Sequence, residues 1–172
     1  MKTWMQIATA AVVLLASCTK DTTNSGLDAV NQADLDLAQK AGKLYVANME
    51  LGRYVYDRTN DSLVAKLAEN LLVTSDRAYT QLIINAKGKG IPVPNTVDET
   101  HQAIRTGMES LTGWTLDSAF VHNALQDQRN LLAVYNQHQQ EGNNATIKMH
   151  SRYYADTFRM HHDMADSLAL MY

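Results

Sequence analysis

The stretch RMHHDMAD, Arg159 to Asp166, brings together two histidines, two acids and two methionines, residue types that can hold a metal. Imidazole and carboxylate suit first-row transition metals, and thioether suits copper(I), so Met160, Met164, the more distant Met171 and His162 could form a soft-ligand face. Methionine at this spacing is more often core or interface filler, and that reading is preferred here. His161 and His162 are neighbours on one helix and so diverge by about 100 degrees, which prevents them from sharing one direction. The tyrosines Tyr54, Tyr56, Tyr79, Tyr135, Tyr153 and Tyr154 could form a redox or stacking cluster, though amphipathic packing explains them as well. Nucleophilic catalysis has little support, because the serines lack an elbow motif and no glycine-rich phosphate cradle occurs. No enzyme activity and no cofactor are expected.

The amino-terminal residues point to a compartment. Lys2 gives a positive start, Ile7 to Ala16 is mostly small and apolar, and the run closes on LASC, Leu15 to Cys18. The apolar stretch has the form of a secretory signal and is shorter than the roughly 20 residues a spanning helix needs. LASC resembles a bacterial lipobox, which predicts removal of residues 1–17 and lipid attachment at Cys18. Cys18 is the single cysteine, so its lipidation would leave no thiol for a disulfide or a zinc knot. Residues 18–26 are polar and read as a tether. Thr19 stands where an aspartate would resemble an inner-membrane retention signal, which favours the outer membrane, facing the periplasm or exposed at the surface. The formal net charge is -3 and dispersed, so there is no basic footprint for nucleic acid. The membrane is the expected partner, through the lipid; another envelope protein or a second copy of the chain is a further candidate.

Residues 27–172 are long enough for one domain with a core. Both prolines, Pro92 and Pro94, lie in one break, GKGIPVPNT, and no strand alternation competes with helix elsewhere. The first helix is expected over Leu27 to Arg58, and a second from the Thr59-Asn60-Asp61 turn to about Lys87. Thr96 to Glu99 has the form of a capping box for a short helix ending near Leu111. Thr115 can cap the next, to about Glu141, and Gly142-Asn143-Asn144 turns into the last. The expected fold is all-α, an up-down four-helix bundle with a short extra helix between the second and third long ones.

Each long helix carries a 3-4 apolar seam with a polar residue near its middle. Asn48 interrupts Leu37, Ala41, Leu44, Leu51 and Val55. Ser75 interrupts Val64, Ala68, Leu71, Ala78 and Leu82. Gln128 lies among Val121, Ala124, Leu131 and Tyr135. The fourth seam runs Ile147, Ser151, Tyr154, Phe158, His161, Ala165, Leu168. In a bundle, Asn48, Ser75, Gln128 and His161 should form an interior polar layer, which must find partners because unpaired burial of polar groups is costly. In ferritin-like bundles this locus holds two metals through glutamates and Glu-x-x-His pairs, and no Glu-x-x-His occurs in this chain.

The runs ANMELGRYV (Ala47 to Val55), LVTSDRAYTQL (Leu72 to Leu82), IPVP (Ile91 to Pro94) and ALQDQRNLLAVY (Ala124 to Tyr135) resemble, in order and spacing, the bacterial domain-of-unknown-function family 4142. The resemblance covers about Leu35 to Leu170. It implies a ferritin-like helical bundle in the cell envelope, with no established reaction. It also implies glutamate where Asn48 stands, aspartate-histidine pairs where Thr74-Ser75 and Asp127-Gln128 stand, and a histidine at His161. Glu50, Asp127 and His161 keep ligand types, so they are the residual metal candidates, but neutral Asn, Ser and Gln are poor transition-metal ligands and no metal site is expected. The functional expectation is a lipid-anchored, non-catalytic binding, structural or stress-related accessory, with iron or copper handling as the alternative.

Overall fold

The computed structural model describes residues 28–172, so the expectations for the signal segment, Cys18 and the tether lie outside the described residues. Five helices follow: α1 (Gln32–Tyr56), α2 (Ser62–Ala86), α3 (Glu99–Met108), α4 (Gly113–Glu141) and α5 (Ala145–Ala169). The described residues contain no strand and form an all-α fold.

Local chemistry corrects several of the expected boundaries. α1 starts at Gln32 rather than Leu27, because Asn31 and Asp34 form a reciprocal capping box. α2 opens as expected, with the Asp61 carboxylate accepting from the N–H groups of Leu63 and Val64. α3 is capped by Asp98 and not by Thr96, since the Asp98 side chain accepts from the His101 backbone. α4 starts at Gly113, behind Thr112 and ahead of the Thr115 expected to cap it, with Gly113 in the left-handed region at φ 53°.

The order of the long helices around the bundle is α1, α2, α5, α4 and back to α1. Their directions follow from the ends. At one end the first turn of α1 meets the last turn of α4 and the start of α5, through Asp34, His138 and Asn144. At the other, Tyr172 after α5 bonds Asp61 at the head of α2 and packs on Trp114 at the head of α4. Every neighbouring pair is antiparallel, as an up-down bundle requires, yet α2 and α4 run the same way along one diagonal. The sequential order is therefore up-down-down-up, and the correction has a simple cause: the segment between α2 and α4 is long enough to return to the starting end. It crosses α1 on the way. Pro94 lies so close to Gly42 that a β-carbon there would come within 2.9 Å of the proline ring, and Met108 reaches the far end of α1, where its carbonyl accepts from Tyr54.

All the seam residues predicted on the four long helices are buried. The polar layer divides the core. On one side Leu44, Ala78, Leu131, Tyr135 and Phe158 belong to one apolar cluster; on the other Leu51, Leu71, Ala124 and Ala165 belong to a second. Asn48, Ser75, Gln128 and His161 fall between them, one per helix, all buried.

Candidate functional site

Inside the layer the hydrogen bonding is sparse. Gln128 Nε2 donates to Asn48 Oδ1 at 3.5 Å, the outer limit of a hydrogen bond. His161 turns away from the other three and pairs its Nε2 with Thr74 Oγ1 at 3.0 Å, while burial holds its pKa below the ordinary histidine range. Ser75 Oγ, Asn48 Nδ2 and Gln128 Oε1 have no hydrogen-bond partner among the described residues. The layer is real but does not close on itself.

The residual metal candidates are not brought together. Glu50 is exposed on the outer face of α1. Asp127 is buried but committed to His101 and Asn123, at 3.0 and 2.9 Å. Among the described residues no three His, Cys, Asp or Glu side chains gather as a metal-holding group. The soft-ligand face does not assemble either. Met160 and Met171 are 69% and 61% exposed, whereas Met164 packs against the second core cluster, its sulfur 3.8 Å from Asn70 Nδ2. His162 is half-buried and bonds its neighbour Asp163 at 3.0 Å.

Three polar constellations lie outside the predicted layer; Asp34, His101, His138 and His150 in them come from helix flanks or ends, whereas Ser151, Tyr135, Tyr154 and Phe158 are seam residues. The first is Asp34, His138 and Ser151. Asp34 Oδ1 is 2.8 Å from His138 Nε2, and His138 Nδ1 is 3.1 Å from Ser151 Oγ. Those are the distances of an acid-histidine-serine relay, but all three side chains are sealed in the bundle end, and a nucleophile without substrate access cannot turn over. Burial by itself would raise the Asp34 pKa; the Asn31 backbone N–H, His138 and the Asn144 backbone N–H outweigh it and hold the carboxylate below its usual range. The constellation ties together the ends of three helices. A β-carbon on Gly142 would come within 2.4 Å of His138 Nε2, so the glycine is what lets the ring lie flat against the turn.

The second constellation clamps the crossover. His101 on α3 bonds Asp98 through Nδ1 at 2.8 Å and Asp127 on α4 through Nε2 at 3.0 Å. Asp127 outweighs the effect of burial, Asp98 adds to it, and the imidazole pKa is pushed up to about 9. Nearby, Arg105 and Arg58 cover the Tyr54 ring at 3.5 and 4.0 Å.

The third is aromatic. Tyr45 bonds the Tyr135 hydroxyl and, at 2.9 Å, His150 Nε2, while Phe158 stacks on Tyr45 at 5.7 Å and Tyr154 lies 4.9 Å from His150. Of the tyrosines considered from sequence, Tyr135, Tyr153 and Tyr154 join this group, Tyr79 packs partly buried against the same core cluster, Tyr54 lies in the other cluster, and Tyr56 is exposed. Burial pushes the Tyr45 and Tyr135 hydroxyls well above the ordinary tyrosine range and lowers His150 to about 4.

This frame of four helices, with its crossover and its split core, can be set beside known proteins. Residues 19–168 match the family described as Domain of unknown function (DUF4142). The chain belongs to that family. No curated protein matches it. Among solved structures it is similar in fold to a DUF305 fragment from Deinococcus radiodurans, with a TM-score of 0.73 and 12% identity over 84% of this chain and 99% of that one. It is also similar to a secreted DUF305 protein from Streptomyces coelicolor, with a TM-score of 0.60 and 17% identity over 81% of this chain and 87% of that one. At these identities the likeness is one of fold. Among the described residues of this DUF4142 chain, no helix is long and apolar enough to cross a membrane.

Proposed function

We propose that this DUF4142 protein is a lipid-anchored accessory of the bacterial envelope that works by binding or bracing rather than by turnover. The observation that carries the non-catalytic reading is where the buried acid-histidine pairs go; a further buried carboxylate, Asp117, stands apart from them with one oxygen unpartnered among the described residues. Asp34 with His138, and His101 with Asp98 and Asp127, are spent joining helix ends and the crossover, and the Ser151-His138-Asp34 constellation is closed to substrate. The anchor rests on the LASC sequence at Leu15 to Cys18. For the fold, a bundle with one long crossover between its second and third long helices is the ferritin-like arrangement, and the up-down-down-up course supports it.

The experiment is fractionation of cells making the wild type and Cys18→Ala, with labelled fatty acid supplied. The wild type should carry label and partition into membranes in a detergent-sensitive way, and the variant should do neither. Equal processing and equal membrane partitioning of the two proteins would refute the anchor. Metal analysis of tag-free protein addresses the iron or copper alternative, for which stoichiometric metal would be required.

A further inference from the structure

Between α2 and α5 a half-open groove of about 290 Å³ is lined by Gln81 and Asn85 on one side and by Met149, His150, Tyr153 and Tyr154 on the other. His150 is 2% exposed, and its Nδ1 is buried with no hydrogen-bond partner among the described residues. Its other nitrogen is engaged inward, at Tyr45. Only one direction of donation gives both tyrosine hydroxyl protons an acceptor: Tyr135 O–H to the Tyr45 oxygen, then Tyr45 O–H to His150 Nε2. The reverse direction leaves the Tyr135 proton with nothing to bond. A neutral His150 accepting at Nε2 carries its own proton on Nδ1, so the unpartnered group of this lining residue is a buried N–H donor. A buried donor without an acceptor is unfavourable, and a ligand oxygen would relieve that penalty.

The rest of the lining limits what that ligand can be. Tyr153 is 74% exposed and stands edge-on to Tyr154 at 5.0 Å, giving an aromatic wall open to solvent. No lysine or arginine lines the groove, and Arg77 acts on Tyr154 only from outside the lining, so a carboxylate would enter without a contacting countercharge. Gln81 donates to Asn85, which leaves the Gln81 carbonyl and the Asn85 amide N–H for a polar edge. The volume is at the small end of ligand sites.

We propose that this groove binds a small, neutral, planar aromatic compound through a carbonyl oxygen that accepts from His150 Nδ1–H while the ring lies against Tyr153 and Tyr154. The inference goes beyond the accessory role proposed above, because the groove is complete whether or not Cys18 carries lipid.

The test is a titration of the isotope-labelled full chain with benzamide, followed by nitrogen shifts of the histidine rings. Free protein should show His150 protonated on Nδ1, and benzamide should move that signal saturably together with the Tyr153 amide. Benzoate and toluene should bind at least about tenfold more weakly, the one lacking a countercharge and the other lacking the acceptor. His150→Phe keeps the shape and removes the donor, and should weaken benzamide about tenfold or more. Tyr153→Ala alters an exposed side chain only, so it tests the wall even where His150→Phe fails to fold, and it should weaken binding as well. A His150 proton found on Nε2, benzoate binding as well as benzamide, or affinity unchanged in the folded variants would overturn the proposal.

Discussion

Asp34 in the first turn of α1 and His138 in the last turn of α4 are 104 residues apart in sequence and 2.8 Å apart in space. The carboxylate is shared three ways, because its second oxygen accepts from the backbone N–H groups of Asn31 and Asn144. One side chain thus closes the capping box of α1, holds the turn before α5 and pairs with the end of α4. Removing one member of such a buried, paired group leaves the others unmatched, so Asp34→Ala should destabilise the fold by about 3 to 5 kcal/mol. Urea unfolding of the two proteins measures it; a loss below about 1 kcal/mol would mean that the bundle end does not depend on this carboxylate.

Gly142→Ala should be destabilising for a related but separate reason. Gly142 has an ordinary φ of -64°, so the backbone tolerates alanine; the obstacle is the His138 ring, 2.4 Å from where the methyl carbon would sit. Overpacking of this kind costs about 1 to 3 kcal/mol. In a His138→Ala background the space is free, and the alanine should then cost only a few tenths of a kcal/mol. A double-mutant cycle showing the same cost in both backgrounds would place the strain elsewhere.

The His101 clamp carries a pH dependence with a definite sign. Its folded pKa is about 9 against an ordinary 6.5, so the bonds to Asp127 and Asp98 contribute fully below about pH 6.5 and are lost as pH rises through about 9. His101→Gln should therefore cost on the order of 2 kcal/mol at pH 6 and much less at pH 10. Chemical denaturation of both proteins across that range is the check, and a difference that grows with pH would contradict the charged clamp.

The seams and the layer were legible in the sequence because helical periodicity reports which face is inward, and one polar residue in each apolar seam reports a height. The clamps were not. Asp34, His101, His138 and His150 sit on flanks or ends, and their partners are set by which helix ends meet, a property of the crossover that no single helix records. His101 left one signal, an Asp-x-x-His spacing with Asp98, that fits a cap whose imidazole folds back on it. Glu50 kept a ligand type, but its direction was legible too: two residues past Asn48 turns the side chain off the seam, and it is exposed.

Leu71→Ala and Leu131→Ala, in the two separate core clusters, should each cost about 2 to 5 kcal/mol. Ser75→Ala, in the layer between them, should be neutral or stabilising by up to about 1 kcal/mol, since its buried hydroxyl has no partner among the described residues. The contrast is read from thermal or urea unfolding of the three variants. A Ser75→Ala loss comparable to either leucine would show that the hydroxyl is bonded within the layer.

The adjacent histidines of RMHHDMAD separate on the same principle. His161 continues the α5 seam, is buried, and holds Thr74 Oγ1 at 3.0 Å; His162, about 100 degrees around the helix, reaches only Asp163 beside it. His161→Ala removes the ring that meets Phe158 at 5.8 Å and leaves Thr74 without this bond, so it should cost about 1 to 3 kcal/mol, against about 0.5 kcal/mol or less for His162→Ala. Burial lowers the His161 pKa from an ordinary 6.5, so its contribution is full above that pH and falls as acid protonates the buried ring. The cost of His161→Ala should accordingly shrink below about pH 6.5. Equal costs for the two histidines, or a His161 cost that rises in acid, would mean that the imidazole is charged and paired with a group other than Thr74.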